Sequence, residues 1–125
     1  MSEPDSTDTE PSGFDVIDVQ AASDLLAAGT ALLIDVREPQ EYEFEHVPGA
    51  LLQPLSFLDP DLFPNISEKK MLFICGVGKR SAAACKQLAK AGFTNLTNIS
   101  GGMDAWREAE LDLEGTRFET HDYMI

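Results

Sequence analysis

Apolar positions fall in short blocks separated by polar punctuation, and the blocks alternate between strand length and helix length. Residues 31–36 are apolar apart from Asp35, and residues 71–74 are apolar throughout. Both match strands buried on two faces of a parallel sheet. Shorter runs at 14–17, 51–52 and 96–99 predict three more strands. Between them, Asp18 is placed to cap a helix that runs to Ala28 and stops at Gly29. Residues 40–45 predict one or two helical turns with Tyr42 or Phe44 packed inward. A further helix starts near Arg80 or Ser81 and stops at Gly92, and Gly101-Gly102 opens a last one through Met103, Ala105 and Trp106. Leu55, Phe57, Leu58, Leu62 and Phe63 lie among prolines, which predicts irregular turns or a short helix covering the sheet. The sum is an α/β domain with a mostly parallel sheet of about five strands and helices on both faces.

The chain has 125 residues, enough for one domain with its own core. Residues 1–13 are acidic and almost without apolar side chains, which predicts a mobile N-terminal tail ahead of a domain over 14–112. Residues 113–125 form a C-terminal tail of mixed composition, in which Phe118, Tyr123, Met124 and Ile125 can dock on the domain or meet another protein. The net charge of −13 argues against nucleic acid and anionic membrane surfaces as partners. Lys79, Arg80, Lys86 and Lys90 nevertheless cluster in one stretch, a local basic site suited to a small anion. The two cysteines make no disulfide framework, and the chain shows neither a signal-peptide core nor an apolar span of membrane length. A reducing cytoplasm is the default compartment, and nothing demands more than a monomer.

The stretch Cys75-Gly-Val-Gly-Lys-Arg80-Ser81 carries the candidate chemistry. A strand ends at a cysteine, two glycines turn the chain, and a helix begins. A helix start leaves backbone N–H groups unpaired and carries partial positive charge, so it favours anions. Cys75, expected at the mouth of this loop, should ionise more readily than a free thiol. Gly76 and Gly78 allow the loop amides of residues 76–81 to turn inward, and Arg80 and Lys79 add positive charge. Taken alone, the motif fits either a nucleophile or a buried strand cysteine at a plain turn. Cys85, well inside the following helix, reads as a core residue. Asp35 and Arg37 leave the neighbouring strand at the same sheet edge, where ligands of open α/β sheets collect. They stand one layer behind the site or simply pair with each other or with Glu41.

Four motifs occur in order: Asp35-Val-Arg-Glu-Pro-Gln-Glu41-Tyr42, His46-Val-Pro-Gly-Ala50, the cysteine loop, and Gly101-Gly-Met-Asp-Ala-Trp106. Together they resemble the rhodanese-like (sulfurtransferase) domain family over about residues 14–110. The resemblance implies a three-layer α/β/α fold. It also implies double displacement through a persulfide on Cys75, with thiosulfate or a persulfide as donor and cyanide or a thiol as acceptor, either of which can be a protein. No cofactor and no metal is implied. The backbone of Gly76, Val77, Gly78, Lys79, Arg80 and Ser81 would cradle the persulfide, and His46 would serve a structural turn. Glu45 stands where the family often has glycine, and Gly76 and Val77 stand where it often has hydroxyl or charged side chains, which weakens the case for thiosulfate.

Related cysteine phosphatases carry Cys-x5-Arg, one residue longer than the spacing from Cys75 to Arg80. The shorter loop resembles the sulfurtransferases. A non-catalytic binding module and a phosphatase or arsenate reductase are the alternatives.

Overall fold

The computed structural model describes residues 13–119; residues 1–12 and 120–125 of the expected tails lie outside the described residues. Five strands, β1 (Asp15–Ile17), β2 (Ala31–Asp35), β3 (Leu51–Leu52), β4 (Lys70–Ile74) and β5 (Leu96–Ile99), form one sheet in the order β1-β5-β4-β2-β3. Every pairing is parallel. Four helices accompany them: α1 (Val19–Ala27), α2 (Pro39–Phe44), α3 (Lys79–Lys90) and α4 (Gly102–Glu108). Among the described residues no helix is long and apolar enough to cross a membrane.

The apolar runs bury both faces of the central strands, as a parallel sheet requires. Along β4, Met71 and Phe73 face a core shared with Ala84, Cys85 and Leu88 of α3. Leu72 and Ile74 face the opposite core, shared with Val19 and Ala22 of α1 and Met103 and Trp106 of α4. Alternation with period two on one strand thus joins two helical layers to one sheet. Asp18 caps α1, its carboxylate accepting from the Ala21 N–H at 2.9 Å. The proline-rich segment forms a single 3-10 turn at Leu55–Phe57. Its Leu55, Leu58 and Phe63 pack on the α3 side, while Phe57 and Leu62 face outward.

On α2 the inward residue is Tyr42, which donates to the Ala50 carbonyl at 2.5 Å, and Phe44 is exposed. Beyond α4 the chain turns back: Leu111 and Leu113 join the α1 and α4 core, and Glu114 bridges antiparallel to His46.

Candidate active site

Cys75 follows directly on β4, at the carboxyl edge of the sheet, and α3 begins at Lys79, one residue before the expected start. The N-cap is Gly78 with φ of 104°, a left-handed conformation that only glycine adopts cheaply. This turn aims donors at the cysteine sulfur. The Gly78 N–H donates to Cys75 Sγ at 3.1 Å, the Ser81 N–H at 3.3 Å, and the Ser81 hydroxyl lies at 3.3 Å.

The amides point inward because the loop carbonyls are held outward. The Met103 N–H donates to the Cys75 carbonyl at 2.7 Å, and the Asp104 N–H donates to the Gly76 carbonyl at 3.1 Å. The unpaired N–H groups at the start of α4 therefore anchor the back of the loop. Gly102 makes this approach possible: a Cβ there would overlap the Cys75 carbonyl oxygen, and its φ is 55°. The paired glycines in the sequence thus have a packing reason as well as a helix-starting one.

Cys75 is only 1% exposed, so its sulfur forms the floor of the cup; the expectation of a thiol at the mouth is corrected. The reason is packing: Cys75 joins the α3-side core with Ile34, Val36, Phe73 and Ala84, while α4 anchors the back of the loop through the Met103 and Asp104 N–H groups. Burial pushes the Cys75 thiol up in pKa. Hydrogen bonds from the Ser81 hydroxyl and from the backbone of Ser81, Gly78 and Val77 outweigh burial and hold it below its ordinary value. Cys85 has no such donors, and burial alone pushes its thiol up to about 12.

Val77 and Lys79 are exposed around the loop. Arg80 is not a free cation. Its guanidinium donates to Glu41 of α2 through two bonds of 2.8 and 3.1 Å. The hydrogen bond from Arg80 holds the Glu41 carboxyl below the usual range in spite of burial. Much of the charge expected to attract an anionic donor is therefore answered within the protein.

Asp35 and Arg37 are both buried, and their bonds close on each other. Arg37 Nε donates to Asp35 at 2.9 Å and its Nη2 at 2.8 Å, while the same Nη2 donates to the Glu45 carbonyl at 2.7 Å. They fasten the turn between β2 and α2. His46 stacks on Tyr42 with ring centroids 3.8 Å apart and contacts Tyr42 O and Glu114 through its two nitrogens, so its place is in the turn. Trp106 is a core residue.

Sequence reasoning missed Asn98 of β5, which is 6% exposed. Ser81 Oγ lies 2.5 Å from Asn98 Oδ1, and Asn98 Nδ2 donates to the Gly78 carbonyl at 3.3 Å. A polar side chain in a strand buried on both faces was the available signal, because such groups are paired.

The family model for the rhodanese-like domain matches residues 18–109. The chain belongs to that family. A Synechocystis protein, the uncharacterized protein slr1261, is 37% identical over 86 residues, which cover 69% of this chain and 48% of that one. The chain thus spans about half the length of that relative. Among solved structures, the human single-domain sulfurtransferase TSTD1 is 30% identical with a TM-score of 0.63, covering 74% of this chain and 95% of that one. A Rhodopseudomonas palustris protein described as a possible tyrosine phosphatase is 24% identical with a TM-score of 0.72, covering 91% of this chain and 99% of that one. That last likeness is one of fold.

Proposed function

We propose that the protein is a sulfurtransferase that carries a sulfane sulfur on Cys75. The observation that carries this reading is the convergence of two backbone N–H groups and one hydroxyl on a single sulfur. Backbone donors fixed in advance stabilise a thiolate, and then a persulfide anion, without reorganising. The Cys75 thiolate attacks the outer sulfur of thiosulfate. The sulfur–sulfur bond of the donor breaks, sulfite leaves with its electron pair, and a new sulfur–sulfur bond forms at Cys75. A thiolate or cyanide then attacks the outer sulfur and Cys75 departs as thiolate, so that one difficult transfer becomes two easier ones. A low-molecular-weight or protein persulfide serves equally as donor, because only the terminal sulfur enters the cup.

Lys79 and Arg80 supply the positive side of the entrance. Arg80 acts there as half of a pair with Glu41, which moderates its pull on a dianion. The Cys75 to Arg80 spacing supports sulfur over phosphoryl transfer, and hydrolysis of an aryl phosphate would overturn that assignment. The test is thiocyanate formation from thiosulfate and cyanide, with loss of activity in Cys75→Ser.

A binding module without turnover is the second reading, favoured by the 1% exposure of Cys75. It predicts no persulfide with any donor, small or protein-borne. A cytoplasmic protein acting as a monomer on small sulfur donors and thiol or cyanide acceptors, with Gly76 to Ser81 as the binding loop, completes the proposal.

A further inference from the structure

We infer that Asn98 is a positioning residue for Cys75, acting as the alternative acceptor for the Ser81 hydroxyl proton and so setting how tightly the sulfur holds its negative charge. Ser81 has one hydroxyl proton and two neighbours that can take it as a hydrogen bond: Cys75 Sγ at 3.3 Å and Asn98 Oδ1 at 2.5 Å. It donates to one at a time.

The orientation of the Asn98 amide follows from its other contact. The Gly78 carbonyl can only accept, so the NH2 of Asn98 faces it, at 3.3 Å, and the oxygen faces Ser81. Asn98 is therefore a competing acceptor and offers Ser81 no donor. Ser81 is fully buried and Asn98 nearly so, which keeps water from supplying a substitute partner.

Two states follow. With neutral sulfur, the hydroxyl points to Asn98, the shorter and better acceptor. When charge collects on Cys75, the hydroxyl rotates toward the sulfur, because hydrogen bonds to charged acceptors are the stronger ones. The proton stays on Ser81 Oγ throughout; only the direction of the O–H bond changes. Each such rotation forfeits the bond to Asn98, so Asn98 raises the cost of charging the sulfur. The thiolate is left more basic, and hence more nucleophilic, than the loop amides and a free serine would make it.

This inference rests on Cys75 as the nucleophile, yet its test needs no sulfur donor. The ultraviolet absorbance of the thiolate is titrated in the intact protein; Cys85, held near 12, stays silent across the neutral range. Asn98→Ala is expected to lower the midpoint of Cys75 by about one pH unit, the scale of one hydrogen bond to a charge. In a Ser81→Ala background the same change is expected to leave the midpoint unmoved, the signature of action through Ser81. Asn98→Leu, closer in volume, should repeat both results if the alanine variant folds poorly. A midpoint that rises, or that shifts equally with and without Ser81, would overturn the inference and leave Asn98 as a brace for the Gly78 carbonyl. Failure of sulfur transfer alone would leave these titrations intact.

Discussion

Glu41 on α2 and Arg80 on α3 lie 39 residues apart in sequence and meet at the cysteine loop through two hydrogen bonds. Glu41 thereby holds a cation that borders the site. Both side chains are more than a third exposed, so the pair is screened and worth little as stability. Its consequence is for binding. Glu41→Gln leaves Arg80 free to meet an anionic donor, and KM for thiosulfate should fall about threefold with kcat nearly unchanged. The effect should shrink as salt is added. Steady-state kinetics at two ionic strengths check it, and an unchanged KM would show that Arg80 does not greet the donor.

Gly102 presses its backbone on the carbonyl of Cys75, with no room for a methyl group. Gly102→Ala must push α4 off the loop, which releases the anchored carbonyls of Cys75 and Gly76. A loss of about 2 kcal/mol or more is expected, together with most of the activity. Denaturant unfolding measures the first and thiocyanate formation the second.

The two cysteines should separate cleanly on alkylation. Cys75, held below the ordinary thiol range, should react with iodoacetamide at pH values where a free thiol is mostly protonated. Cys85 should remain unmodified until the protein unfolds. Peptide mapping of the labelled protein decides this, and labelling of Cys85 first would contradict the assigned difference in thiol acidity.

Glu45 is a buried carboxylate that accepts from Arg107 of α4 and Arg117 near the C-terminal end of the described chain. Burial pushes its carboxyl up, but the two arginines outweigh that and hold it below the usual range. A depressed folded value means stability that is present above the unfolded carboxylate pKa of about 4.3 and is lost as pH falls through the folded one. Glu45→Gln should cost about 2 kcal/mol at neutral pH. The gap from the parent protein should close in acid, which unfolding curves at several pH values would show.

Much of the fold was legible because its signals are local. The apolar run at 71–74 ending at Cys75, the glycines after it, the Asp18 cap and the Gly101-Gly102 start of α4 all lie where the residues place them. The cup itself was legible as a loop of inward amides. Its depth was not, because the exposure of Cys75 is set by a core it shares with Ile34, Val36 and Ala84 from elsewhere in the chain, which no local pattern encodes. Glu41 was read only as a neighbour for Arg37; which of several acids meets which arginine depends on how α2 swings over α3. Asn98 stands out only as a polar residue in a short apolar strand, and which groups it pairs with depends on β5 lying beside β4.

The claim at the centre is that Cys75 accepts one sulfur atom and gives it up again. Intact-mass measurement after incubation with thiosulfate tests it most directly. The account predicts a gain of one sulfur mass that a thiol or cyanide removes and that Cys75→Ser never shows. An unchanged mass with thiosulfate and with a persulfide donor alike, in protein whose Cys75 is reduced, would contradict it.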